Sequence, residues 1–253
     1  MTESARPTVD RVLVEVTIAA PADAVWDAIR DPEKIRNWFG WDADTLADEI
    51  DFIFDKYGRA DEGTRTLRFE GTEDRFEVVA RGAGCVLRVV RAAPADAGWE
   101  GVYEDMTEGW ISFVEQLRLG IERHGLGPRR TIFLSGNAKA GGSAPIAALG
   151  LADFRATKDG EAYHADLPTG DTVEGEAWHR TPWQVGLTVP QWGDGLLIVT
   201  DKSVKDTAPH GRGMVILTTY GLADAEFDAL AARWTAWWDA RYEATPASDE
   251  ACS

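Results

Sequence analysis

Between Glu104 and His124 the apolar residues Met106, Trp110, Phe113, Leu117 and Ile121 recur at intervals of three and four. On an α-helix such spacing draws one continuous stripe along a single face, and Val114 widens it. Arg123 and His124 fall in the last turn and Gly125 follows, which suits a helix C-terminus. A helix this long must lay its stripe on an apolar surface, and the preceding residues supply strands to build one. Val12, Val14, Val16 and Ile18 alternate with polar or outward residues in Arg11–Ile18. Glu49–Asp55 places Ile50, Phe52 and Phe54 on one face of a further expected strand. Thr64–Glu70, Asp74–Arg81 and Gly84–Arg91 continue the pattern, with Gly71, Gly82 and Gly84 at the turns, so an antiparallel meander is expected. Two short helices sit between the first two strands. Pro21 opens one, carrying Val25, Trp26 and Ile29; Asp31 caps the other, with Pro32 at its first position.

The order of elements then repeats. Gly125–Arg130 and Ala138–Pro145 are rich in small residues and place a boundary near residue 128. Beyond it, strands are expected at Thr131–Leu134, Glu161–Leu167, Thr172–Arg180, Gln184–Val189, Gly195–Asp201 and Gly213–Tyr220, with a short helix at Pro145–Leu149. A second amphipathic helix, Asp224–Tyr242, carries Phe227, Leu230, Trp234, Trp237 and Trp238. The reading is α+β: domains at 10–127 and 128–244, each an antiparallel curved sheet on a long C-terminal helix, and a small, polar, disordered tail at 245–253.

Length and charge narrow the function. At 253 residues the chain is comfortable for two domains. Its formal charge of −17 repels phosphate backbones, and its one basic cluster, Arg123, Arg129 and Arg130, is a helix end running into a linker, so nucleic-acid binding is not expected. No apolar run approaches the roughly 20 residues needed to span a bilayer, and Met1–Asp10 lacks a signal-peptide pattern. Two cysteines, Cys85 in a strand and Cys252 in the tail, suggest no disulfide framework, and a cytoplasmic location fits.

The segment Val14–Phe39, VEVTIAAPADAVWDAIRDPEKIRNWF, carries Pro21, Val25, Trp26, Ala28, Pro32, Ile35 and Trp38 at characteristic spacings. It resembles the opening of the SRPBCC superfamily (START/Bet v 1-like), specifically its AHSA1-like branch (activator of Hsp90 ATPase). The closing TEGWISFVEQL, with Gly109 and Trp110, is similar to that family's G-W-x-x-x-L helix. The match spans residues 10–124; residues 130–243 resemble the family more weakly, because the V-W-x-A-I helix pair is missing there. The resemblance implies a helix-grip fold, a sheet wrapped around the long helix with an apolar cavity between them.

Eleven tryptophans give this chain material either to fill such cavities or to line them. The inner sheet faces and helix stripes nominate Trp38, Phe52, Phe54, Trp110 and Phe113 in the first unit. In the second they nominate Tyr163, His179, Trp183, Met214, Trp234 and Trp238. Catalytic signals are sparse. Gly136–Ser143, GNAKAGGS, has the glycines of a phosphate loop but lacks the lysine before the serine, and reads as a flexible linker. His164 and His179 fall on neighbouring expected strands near Glu161, Glu174 and Glu176, yet alternation separates them onto different faces, so no metal and no cofactor is expected. Three functions stay open. The chain is a binding protein for a small apolar or aromatic ligand; or a cyclase/aromatase-type enzyme using Arg68, Arg75, Arg88, His179 and Tyr163; or a chaperone-associated or regulatory interaction protein presenting Trp41, Trp99 or Trp192.

Overall fold

A computed structural model describes residues 8–72, 74–94, 102–204 and 208–244 of the chain. Trp99, Cys252 and the expected disordered tail lie outside those residues. Two units divide between Gly127 and Pro128. Each is an antiparallel sheet with a C-terminal helix, an α+β architecture in tandem.

In the first unit the alternating valines produce β1 (Thr8–Ile18), followed by α1 (Ala22–Ala28) and α2 (Pro32–Ile35). Asp31 caps α2 through its side chain, which accepts the Glu33 N–H at 3.0 Å. Then come α3 (Leu46–Ile50), a π-helical turn at Asp51–Lys56, and the strands β2 (Gly58–Asp61), β3 (Thr66–Phe69), β4 (Asp74–Arg81) and β5 (Gly84–Pro94). The helix α4 (Val102–His124) closes the unit. The sheet order is β1-β5-β4-β3-β2, every pair antiparallel. Val14, Val16 and Ile18 from β1, Phe76 and Val78 from β4, and Leu87 and Val89 from β5 meet Val114 and Leu117 of α4 in one core. Ala19 N–H donates to Glu122 at 2.7 Å and fixes the strand end to the helix.

Two expectations fail here. Glu49–Asp55 is helical, not a strand: its apolar residues satisfy a helical period about as well as an alternating one, and packing decides. The four valine and isoleucine positions of β1 do not share a face either. A bulge lies between Val12 and Val14, so Val12 is 49% exposed while Val14 is buried. One extra residue reverses every side chain upstream of it.

The second unit runs β6 (Arg130–Ala138), α5 (Pro145–Ala148), β7 (Ala162–Asp166), β8 (Thr172–Arg180), β9 (Gln184–Val189), β10 (Gly195–Lys202), β11 (Arg212–Thr219), α6 (Asp224–Asp239) and β12 (Tyr242–Glu243). Its sheet order is β12-β6-β11-β10-β9-β8-β7. Leu187, Val189, Leu197, Val199, Val215 and Leu217 face Leu230, Trp234, Trp237 and Trp238 of α6.

The closing helix is shorter than expected. It ends at Asp239, whose carbonyl accepts from Lys139 Nζ at 2.6 Å, and Tyr242 turns back to pair with Ala138 as β12. GNAKAGGS is not a flexible linker: Gly136–Ala138 belongs to β6, and a tight turn follows, closed by Gly142 N–H to the Lys139 carbonyl at 2.9 Å. A side chain at Gly136 would collide with the Glu243 carbonyl, its Cβ only 2.5 Å away, so β6 and β12 approach closely because that residue is glycine.

Candidate ligand-binding site

Trp38 is fully buried, and its indole N–H donates to the Ala28 carbonyl at 2.9 Å. Around it the rings of the first unit interlock: Trp38 with Phe54 at 5.9 Å, Phe39 with Phe54 at 5.0 Å, Phe39 with Phe113 at 4.9 Å, and Phe76 with Trp110 at 5.0 Å. Most contacts are edge-on or tilted, the arrangement favoured by the ring quadrupole. Four of the residues nominated from the sequence, Trp38, Phe54, Trp110 and Phe113, therefore come together between sheet and helix. At the inner end they pack closed. Trp110, Phe113 and Trp41, at the rim of the cluster, are only half-buried.

Phe52 is not part of it. It is 54% exposed, its ring 4.7 Å from Tyr57 with the Lys56 ammonium 5.3 Å from its centre. On a helical turn, residues two apart point to nearly opposite sides, so Phe54 turns inward and Phe52 outward.

Beside the cluster stands a feature that the periodicity of the sequence did not nominate. Asp74 and Arg91 lie directly opposite each other on β4 and β5 and form a bidentate ion pair, with both side chains under a tenth exposed. Arg91 also lies 3.9 Å from the Met106 sulfur of α4. Strand parity carried this signal. Arg91 continues the inward series of Leu87 and Val89, and Asp74 that of Phe76 and Val78. A charge at an inward position asks for a partner directly across the ladder.

Asp74 and Phe69 reach a cleft of about 320 Å³ at the sheet end, shared with Arg59, Arg68, Glu70, Thr72, Arg75 and Ala92. On the sheet's other face Arg59, Arg68 and Arg75 stand in register across β2, β3 and β4. Arg59 holds Glu70 through two hydrogen bonds of 2.9 and 2.8 Å, and Arg75 holds Asp10 and Glu77. The Arg75 hydrogen bond keeps the Asp10 carboxyl below its usual range.

In the second unit the nominated residues divide between the two faces of the sheet. Tyr163, Trp234 and Trp238 belong to the inner core. The Tyr163 hydroxyl donates to the Thr188 carbonyl at 2.8 Å, the Trp234 indole donates to Asp171 at 2.9 Å, and Trp238 stacks on Tyr242 at 4.0 Å. Desolvation raises the Tyr163 pKa above the ordinary tyrosine value.

His179 and Met214 lie on the opposite face. A bulge between Ala177 and His179 turns the histidine away from the core to which Val173 and Ala177 belong. There His179 Nε2 meets Gln184 Oε1 at 2.6 Å, and the Gln184 amide donates to the Thr200 hydroxyl at 2.9 Å. In β11 it is Val215 and Leu217 that point inward; an unbroken apolar run hides which parity is which. Trp183 is half-buried in the β8–β9 turn and outside the core.

His164 is 61% exposed and opposes Glu174, so it does not approach His179. Trp192, expected in a loop, is buried and edge-on to Trp234 at 5.9 Å. Among the described residues no group of three or more His, Cys, Asp or Glu side chains is placed to hold a metal ion, and no helix is long and apolar enough to cross a membrane.

Two further clefts open at the surface. One of about 490 Å³ lies between α2 and α3, rimmed by Glu33, Arg36, Asp42, Asp44 and Asp51. The other, of about 350 Å³, lies beside the Lys139–Ser143 turn and Tyr242.

No protein-family model and no curated protein matches the chain. Among solved structures it is similar to DynU16, a protein of the dynemicin biosynthetic locus, at 18% identity over 91% of this chain and 94% of that one, with a TM-score of 0.30. It is also similar to the di-domain ARO/CYC BexL of the BE-7585A pathway, at 12% identity over 95% and 100%, with a TM-score of 0.31. The di-domain ARO/CYC StfQ of the steffimycin pathway matches at 10% identity over 90% and 91%, with a TM-score of 0.35. Likenesses this distant assign nothing to individual residues.

Proposed function

We propose that the first unit binds a small apolar or aromatic molecule at the open end of its grip, where Trp110 and Phe69 meet the Asp74–Arg91 pair. The observation that supports this reading is the cleft of about 320 Å³ at the sheet end, whose lining includes Phe69, a member of the ring cluster, and Asp74. Phe69 lies 6.3 Å from Trp110 and nearly parallel to it, so the two rings form an ordered edge to the site. Stacking on such rings contributes about 0.5–1.5 kcal/mol beyond burial of area.

The VEVTIAAPADAVWDAIRDPEKIRNWF pattern supports placing this unit in the AHSA1-like branch of the SRPBCC superfamily, and the absence of a disulfide framework suits a cytoplasmic binder. Native mass spectrometry of protein purified from its host is the test. One non-covalent adduct per chain is expected, and Ala92→Trp, which fills the cleft from β5, is expected to remove it. An adduct that persists in Ala92→Trp, or its consistent absence from wild type, speaks against the reading.

A cyclase/aromatase-type enzyme is the second reading, favoured by one observation: Asp74, whose carboxylate is held by Arg91, is among the residues lining the same cleft. Such an enzyme returns its ligand changed. Loss of one water from the captured molecule on incubation with fresh protein, abolished in an Asp74→Asn protein that still binds the molecule, would select it over simple binding.

A further inference from the structure

The row Arg59, Arg68 and Arg75 is unusual on physical grounds. Like charges directly opposite one another on adjacent strands destabilise a sheet, yet here three cations stand side by side across β2, β3 and β4. The two outer members are neutralised by carboxylates, Arg59 by Glu70 and Arg75 by Asp10 and Glu77. Arg68, the middle one, makes no direct hydrogen bond or ion pair among the described residues, and only the more distant charges of Asp10 and Asp61 act on it. It is exposed and lines the same cleft as Phe69.

We propose that Arg68 is the anion-recognising residue of this cleft, and that the molecule bound there is an aromatic acid, its ring toward Phe69 and its carboxylate, sulfonate or phosphate on the Arg68 guanidinium. This rests on the binding site described above and names the class of ligand for it. A planar guanidinium offers paired N–H donors that match two oxygens of such an anion.

The test uses the full chain and two fluorescent probes of one skeleton, anilinonaphthalene sulfonate and its neutral parent phenylnaphthylamine. Wild type is expected to bind the sulfonate more tightly than the neutral probe, despite its net negative charge. Losing one charge-assisted hydrogen-bond partner in Arg68→Gln should weaken sulfonate binding about tenfold and leave the neutral probe unchanged. Arg88→Gln serves as control, since Arg88 pairs with Glu15 outside the cleft; it should change neither affinity. The proposal is overturned if the sulfonate binds Arg68→Gln as well as wild type, or if Arg88→Gln weakens it equally. Binding of neither probe would remove both this inference and the site on which it rests.

Discussion

Asp74 and Arg91 show how much one residue's partner matters. Both side chains are under a tenth exposed, so each charge leans on the other. Asp74→Leu should cost about 3–5 kcal/mol, because it takes the Asp74 carboxylate away from a buried arginine. Asp74→Leu together with Arg91→Met should recover most of that loss, and denaturant unfolding of the four proteins in a double-mutant cycle measures it.

Two aspartates should respond to pH in opposite senses. The Arg75 hydrogen bond lowers the Asp10 pKa, so its contribution is present above the ordinary value of 3.8 and is lost as pH falls through the folded value. Asp10 is exposed, and the effect is small. Burial raises the Asp201 pKa, against the opposing Ile146 N–H and Arg155. Its contribution is therefore fullest below 3.8 and declines as pH rises through the folded value. Removing the titration in Asp201→Asn should flatten that decline, as read from urea midpoints across the acid range. Burial also raises the thiol pKa of fully buried Cys85. It should resist alkylation at neutral pH in the native protein and react once denatured, which peptide mapping reports.

At the scale of elements, the bulge in β8 decides which side chains belong to the core. The His179 ring lies against Gly186 across the ladder, where an added Cβ would come within 2.1 Å of Nδ1. Gly186→Ala should destabilise the second unit by about 1–3 kcal/mol, and part of that should return in the His179→Ala background, tested by thermal unfolding. Helix positions were readable in the sequence wherever a stripe ran for several turns, as in α4 and α6. Short apolar stretches were not: Glu49–Asp55 fits either period, and only contact between Phe54 and the rings of Trp38 and Phe39 selects a helix.

For the whole molecule, a net charge of −17 with a pI near 4.6 keeps copies apart at neutral pH; solubility should reach its minimum near pH 4.6, measured by turbidity across an acid series. The sequence by itself determined the α+β class, most of the strands and the closing helix in each half, and the apolar stripe of α4 that carries Trp110 and Phe113. Those follow from local periodicity, which the residues carry wherever they stand. Tertiary structure alone decided the outward turn of Phe52, His179 and Met214, the insertion of β12, and the alignment of Arg59, Arg68 and Arg75. Each depends on register, bulges or pairing between distant segments. Shifting a strand by one residue reverses its faces without altering its sequence.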